Sequence, residues 1–275
     1  MKIVTLLENT SHRPGLTAGW GLSLYVETAE RKVLFDMGPD ASFLENARAL
    51  GVDLSAVDAA VLSHGHYDHG GGLAAFCERS RKAKIYLRRE ALGAYYAVPP
   101  GEEPHYIGLP RSLAMLSERF VFTGDREDLG NGLTLFSDVE DDKSVRAAAP
   151  KLQEKTVEGF RPDGFAHEQH LLVEENGRAA LLMGCGHSGV VNILRAAERH
   201  LGRRPDVVFG GFHLFELDPD APEAEALIAA TAEALSEGNT IYYTGHCTGD
   251  WAYEQLKKTL GDRLRPMDCG ASAEL

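Results

Sequence analysis

The sequence is poor in cysteine, in long apolar runs and in positive charge, and each shortage excludes something. Its four cysteines, Cys77, Cys185, Cys247 and Cys269, are irregularly spaced in a chain of 275 residues. That is no disulfide framework, and a chain of this length buries enough core to need no staples. No stretch approaches the run of about 20 apolar residues that a membrane-spanning helix requires. Met1–Leu7 is apolar, but Glu8 and Asn9 interrupt it, so it reads as a first strand rather than a secretory leader, and a cytoplasmic location is expected. Lys and Arg number 28 against 41 Asp and Glu, a net charge of −13. A surface of that sign repels phosphate backbones and anionic lipid, so neither nucleic acid nor membrane is an expected partner. A small anionic substrate stays compatible where a metal supplies local positive charge.

What remains is ordinary globular composition, 44% hydrophobic and 25% charged, without linker, low-complexity tract or short repeat. The expectation is a single domain over residues 1–275 made of two similar α/β halves, with the oligomeric state left open. Leu22–Val26 and Lys32–Asp36 flank a polar turn, as a hairpin does. Asp40 is expected to cap a helix carrying Phe43, Leu44, Ala47 and Leu50, closed by Gly51. A short apolar strand, Ala59–Ser63, precedes a helix from Leu73 to about Ser80. In the second half, Leu171–Val173 and Ala180–Met183 pair around Asn176-Gly177, and Val207–Phe209 and Thr240–Tyr243 are buried strands. Helices are expected at 190–200, 222–236 and 250–260. Between about 95 and 165, Pro99, Pro100, Pro104 and Pro110 break any long element, and this segment reads as irregular chain covering a pocket.

The histidines carry the most chemistry. Of eleven, six lie in glycine-bearing loops directly after a predicted strand: His64, His66, His69, His187, His213 and His246. Ligands gather outside the carboxyl ends of strands in α/β folds, and glycines let such loops turn sharply. The loop His64-Gly65-His66-Tyr67-Asp68-His69 is the strongest signal. Neutral imidazoles and a carboxylate suit zinc, iron or manganese. His64 and His66, two apart on extended chain, point to one side and can chelate one ion, while Asp68 and His69 can face a second. Cys185 is either a thiolate ligand, a bridge or a small buried residue. His213 is favoured as a hydrogen-bond donor to substrate, Cys247 and Cys77 as packing residues, and His200 as an exposed helix end.

These segments resemble the metallo-β-lactamase-fold superfamily. The motifs that carry the resemblance are Phe35-Asp36-Met37-Gly38, Ser63–Gly71 and the later strand-end histidines. Leu7–Thr10, Gly21-Leu22-Ser23, Glu168-Gln169, Gly184–Gly189, Gly211–Leu214 and Tyr243–Gly249 are similar to one group within it. That group is the 7,8-dihydropterin-6-methyl-4-(β-D-ribofuranosyl)aminobenzene-5′-phosphate synthase-like proteins. The resemblance implies a four-layer αββα sandwich with two divalent metal ions at one edge, zinc in the first place and manganese or iron as alternatives. It implies His64, His66 and His187 on the first metal, and Asp68, His69 and His246 on the second. Cys185 stands where many hydrolases of this fold carry a bridging aspartate, so it joins the candidate ligands. His167 or His170 is open as a replacement for His187.

The function expected is that of a metal-dependent hydrolase, phosphoesterase-like, or a dihydropterin-type synthase. Its substrate would be a small phosphoester or pterin-like metabolite, attacked by a hydroxide shared between two metals. Asp68 would orient that nucleophile and His213 would hold the substrate. The Ser11–Trp20 loop would help to wall the pocket, with Trp20 and Tyr106 either stacking on a ring or packing. The alternative is a metal-containing binding or regulatory protein without efficient turnover.

Overall fold

The computed structural model describes residues Met1–Leu275. The chain divides into two compact units, the first made of Met1–Gly124, Ala149–Gln169 and Asp268–Leu275, the second of Asp125–Ala148 and His170–Met267. No helix is long and apolar enough to cross a membrane.

The first unit is built on a seven-stranded sheet, in the order Ser272–Glu274, Lys2–Leu7, Ser23–Glu27, Lys32–Phe35, Ala59–Val61, Lys84–Leu87 and Phe120–Phe122. Its first four strands pair antiparallel and the rest parallel. The hairpin closes as expected, Thr28 N–H donating to the Arg31 carbonyl at 2.9 Å. Alternate residues Val4, Leu6, Leu34, Ala60 and Ile85 cluster with Phe43 and Ala47 of the helix Ser42–Ala49 and with Phe76 of the helix Leu73–Arg79. Strand residues are buried on the opposite face as well, Val33, Phe35 and Val61 among them, which is why these strands read as continuous apolar runs.

Asp40 does not cap the first helix. The capping position falls on Ala41, and the Asp40 carboxylate accepts from Ser42 N–H at 2.8 Å, tightening the turn before the helix. Gly51 ends it as expected, with φ +73° and its N–H on the Arg48 carbonyl.

The segment between 95 and 165 is more regular than its prolines suggest. Tyr95–Ala97, His105–Tyr106, Leu152–Thr156 and Gly159–Pro162 form a four-stranded antiparallel sheet of the first unit. Pro99, Pro100 and Pro104 occupy the connection between two of these strands, and Pro110 precedes the 3-10 helix Arg111–Arg119, so the prolines bound elements instead of abolishing them.

The second unit has its own seven-stranded sheet, in the order Leu264–Pro266, Ile241–Thr244, Val207–Phe209, Arg178–Leu182, His170–Glu175, Leu133–Phe136 and Arg126–Gly130. Its first four strands are parallel, joined by the helices Val190–Leu201, Pro222–Ser236 and Asp250–Leu260, close to where the apolar periodicity put them. The other pairings are antiparallel. Asn176 and Gly177 both have positive φ, +52° and +76°, the conformation a two-residue hairpin turn requires. Val190, Ile193, Leu194 and Ala197 form the buried stripe of their helix and pack with Leu181, Val208 and Tyr242 of the sheet.

In both units the glycine- and histidine-rich loops leave the carboxyl ends of parallel strands. Phe76→Ala empties a fully buried site in the first unit's core, and we expect a loss of about 3–5 kcal/mol in urea denaturation.

Candidate metal centre

In the first unit the site starts from Asp36, at the end of the strand Lys32–Phe35. This carboxylate is fully buried and its backbone is left-handed, with φ +58°. It accepts hydrogen bonds from Ser63 N–H, the Ser63 hydroxyl and His69 Nδ1, each at 2.7 Å. An ionised carboxylate has no proton to donate, so His69 is protonated on Nδ1 and the single Ser63 hydroxyl proton is committed to Asp36. Ser63 Oγ, 2.8 Å from His64 Nδ1, then accepts from it. Both histidines are thereby held in one tautomer, with Nε2 unprotonated and available as a ligand atom.

His64 Nε2 lies 3.1 Å from His66 Nδ1, and Asp68 joins them in one buried group whose ligand atoms lie within 4.8 Å of one another. Two nitrogens bound tetrahedrally to one zinc ion at its usual bond length would be about 3.4 Å apart, so the pair fits a metal. His69 Nε2 is 3.8 Å from Asp68 Oδ2. Asp68 therefore lies close to His64 and His66 as well as to His69. His66 ends an extended stretch, and Tyr67–Gly70 turns at once into a short helix.

The glycines after this loop are there for close approach. A Cβ on Gly72 would collide with the carbonyls of Met37 and Asp40, and one on Gly71 with that of Pro39. Met37 N–H donates to the His69 carbonyl at 2.7 Å and Gly72 N–H to that of Gly38 at 3.1 Å. The Phe35–Gly38 and Ser63–Gly72 motifs are therefore two sides of one backbone junction.

The second unit supplies the later candidates. Cys185 Sγ is 3.3 Å from His246 Nε2, and the rings of His187 and His213 lie 4.5 Å apart. His213 and His246 both have positive φ, +49° and +47°. Two non-glycine residues held left-handed at the ends of neighbouring strands are strained, and such strain concentrates at functional sites. Thr248 holds these loops together, Oγ1 accepting from Phe212 N–H at 3.1 Å and contacting Thr244 Oγ1 at 2.5 Å. Cys247 is buried and donates to the Cys185 carbonyl at 3.2 Å, a role in loop packing.

His167 lies with Asp163 and His66 in a further group whose ligand atoms are within 4.8 Å of one another. Its Nδ1 accepts from Gly65 N–H at 3.0 Å and its Nε2 lies 3.0 Å from Asp163 Oδ2. The His170 ring packs on Phe136 at 5.1 Å. His200 is not an exposed helix end: its side chain is 10% exposed, and it pairs with Asp138 at 2.7 Å. Tyr106 donates to the Leu109 carbonyl at 2.8 Å and packs edge-on to Tyr96, while Trp20 is about half exposed. Cys269 sits against Glu8, and burial pushes its thiol up to about 11, so it is neutral near pH 7. Sequence reasoning passed over Asp36 and Ser63 as functional positions. Their signal was polar side chains directly ending apolar strands.

The motifs at 7–10 and 168–169 have structural explanations. Asn9 Oδ1 accepts from Gly21 N–H at 3.1 Å, tying down the 11–20 loop. Gln169 Nε2 donates to the carbonyls of Leu62 and Tyr86 at 2.8 and 3.1 Å, while its N–H reaches the Ser63 carbonyl, so it fastens the strand end that carries His64.

The metallo-beta-lactamase superfamily profile matches residues 17–246. The chain belongs to that superfamily. It is 26% identical over 268 residues to the 7,8-dihydropterin-6-methyl-4-(beta-D-ribofuranosyl)-aminobenzene-5′-phosphate synthase of Methanocaldococcus jannaschii, covering 90% of this chain and 88% of that protein. Among solved structures it is similar to a metal-dependent hydrolase of the beta-lactamase superfamily, with 28% identity, a TM-score of 0.84, and coverage of 100% of this chain and 99% of that one. Zn(2+)-bound PqqB from Methylobacterium extorquens shares the fold at 13% identity and a TM-score of 0.60, with both chains covered in full. The fold class expected from the motifs, the αββα sandwich of the metallo-β-lactamase type, is the one these comparisons show.

Asp36→Ala leaves Ser63 N–H and His69 Nδ1 without their buried acceptor. It should cost about 2–5 kcal/mol in chemical denaturation. Cys185→Ser should lower the metal content of the purified protein, measured by plasma emission, if the thiolate ligates. Unchanged content would return Cys185 to a packing role.

Proposed function

We propose that the protein is a metal-dependent hydrolase or transferase acting on a small phosphorylated or pterin-like metabolite at a dinuclear centre. The observation that carries the reading is the convergence of His64 Nε2, with no proton to donate, on His66 Nδ1 and Asp68. Membership of the superfamily supports it, as does the relative named for a synthase of a ribofuranosyl phosphate compound. In this reading His64, His66 and His187 hold one ion, and Asp68, His69 and His246 hold the other, with Cys185 as a further ligand or bridge. Zinc is the metal that suits this nitrogen- and sulfur-rich set best, with manganese or iron as alternatives.

Two bound divalent ions supply Lewis acidity and an activated water at neutral pH, and they offset the acidic charge of the chain toward an anionic substrate. The chain's own residues do the rest. Asp68 orients the attacking water and His213 donates a hydrogen bond to the substrate oxygen. Ser63 and Asp36 keep His64 and His69 in the ligating tautomer throughout. The segment 95–165 and the 11–20 loop wall the substrate and exclude bulk solvent.

The test is turnover of an aryl phosphodiester by protein reconstituted separately with zinc, manganese and ferrous iron, with His66→Ala as control. We expect metal-dependent hydrolysis and its loss, at least 100-fold, together with metal from the mutant. Full occupancy with no turnover on any metal would overturn the hydrolase and favour a pterin-type transferase or a metal-containing binding protein. Full occupancy and turnover in His66→Ala would overturn the ligand set.

A further inference from the structure

Gly65 lies between the two histidines that converge, and its backbone is gripped from two sides. On one side a Cβ would meet the Ala91 carbonyl at 2.5 Å and the Tyr95 ring at 2.9 Å, so the peptide is pressed against these groups and no larger residue fits. On the other, its N–H donates to His167 Nδ1 at 3.0 Å. An acceptor nitrogen carries no proton, so His167 is protonated on Nε2, and that N–H meets Asp163 Oδ2 at 3.0 Å. The side chains of His167 and Asp163 are 0% and 2% exposed. The His167 ring lies 4.1 Å from that of Tyr95 and 5.3 Å from that of His66. Tyr95 in turn donates its hydroxyl to the Glu90 carbonyl at 2.6 Å, which fixes the wall against which both rings rest.

A buried carboxylate and imidazole in series, ending on a backbone amide, are more than that amide needs, since a carbonyl would satisfy it. What the pair adds is a single proton arrangement. Asp163 accepts only, so it keeps the proton on His167 Nε2 and the Nδ1 lone pair turned to Gly65. The rotation of the His64–Gly65–His66 backbone then has one setting, and that setting determines where His66 Nδ1 stands relative to His64 Nε2.

We propose that Asp163 and His167 are positioning residues for the metal loop, acting through the Gly65 amide to hold His66 Nδ1 on the ion shared with His64. This rests on the metal reading above. It differs from the roles of Asp36 and Ser63, which act on imidazole nitrogens directly. It also assigns His167, a candidate ligand in the sequence, to support of the loop instead.

The test measures zinc affinity by competition with a chromophoric chelator and records the visible spectrum of the cobalt(II) form, for wild type, Asp163→Asn, His167→Phe and His167→Asn. His167→Phe fills the volume but offers Gly65 no acceptor. His167→Asn places an amide oxygen near the position of Nδ1. Outer partners of metal ligands typically govern about 10- to 100-fold in affinity. We expect a loss in that range and an altered cobalt spectrum for His167→Phe, a smaller loss for Asp163→Asn, and recovery to within about threefold of wild type for His167→Asn. Thermal midpoints of the metal-free proteins separate this from a merely structural role, which would lower them while leaving zinc affinity and the cobalt spectrum alone. Should His167→Phe fold poorly, Asp163→Asn, which preserves volume, decides by itself. Wild-type affinity and an unchanged cobalt spectrum in both His167→Phe and Asp163→Asn would overturn the inference and leave the metal reading intact. A wild-type protein that holds no zinc, like His66→Ala, would overturn both.

Discussion

A carboxylate shut away from water needs partners, and Asp36 has three within 2.7 Å. Because it can only accept, it imposes a direction on every hydrogen bond it makes, and the direction passes through the Ser63 hydroxyl to His64. The ring orientations of His64 and His69 in the first unit's histidine loop depend on this one group. Its own left-handed backbone, and the collisions that any side chain on Gly71 or Gly72 would suffer, show how tightly the two segments are pressed together to make the contact. The strain and the unusual glycine content belong to the same constraint.

The second unit meets a similar demand by other means. Its candidate residues follow three neighbouring strands, Cys185 and His187 the first, His213 the second and His246 the third, and the backbone at His213 and His246 takes up conformations that cost energy for residues with a Cβ. Threonines and a buried cysteine thiol, rather than a carboxylate, tie these loops to one another. In the first unit the carboxylates of Asp36, Asp68 and Asp163 lie beside histidines, whereas the second unit's candidate residues carry imidazole and sulfur.

Much of this was legible in order of residues. Apolar strands with glycine and histidine at their ends announced an α/β fold with a cluster of candidate metal ligands, and in the His-x-His-x-Asp-His spacing the first two histidines fall on extended chain and Asp68 and His69 on the turn that follows. Helix periodicity at 190–200, 222–236 and 250–260 gave elements close to those observed. The prolines of the segment 95–165 read as breaks in the sequence, yet they do not interrupt its strands. They fall in connections and at element starts, where a missing N–H costs nothing, and the strands are too short for alternation to show. Asp40 carries the side chain of a cap but closes the turn before the helix instead, since a short carboxylate two residues from Ser42 reaches its N–H there.

The sequence by itself determined the superfamily, the fold class and the chemical type of the candidate ligands, since these follow from local pattern and from which atoms the side chains carry. It could not say what lies beside each ring nitrogen, on which any division of the histidines into ligands and supports depends. His167 and His64 are alike as residues. Only the tertiary structure brings a backbone amide and Asp163 to the two nitrogens of the first, and leaves Nε2 of the second facing another imidazole.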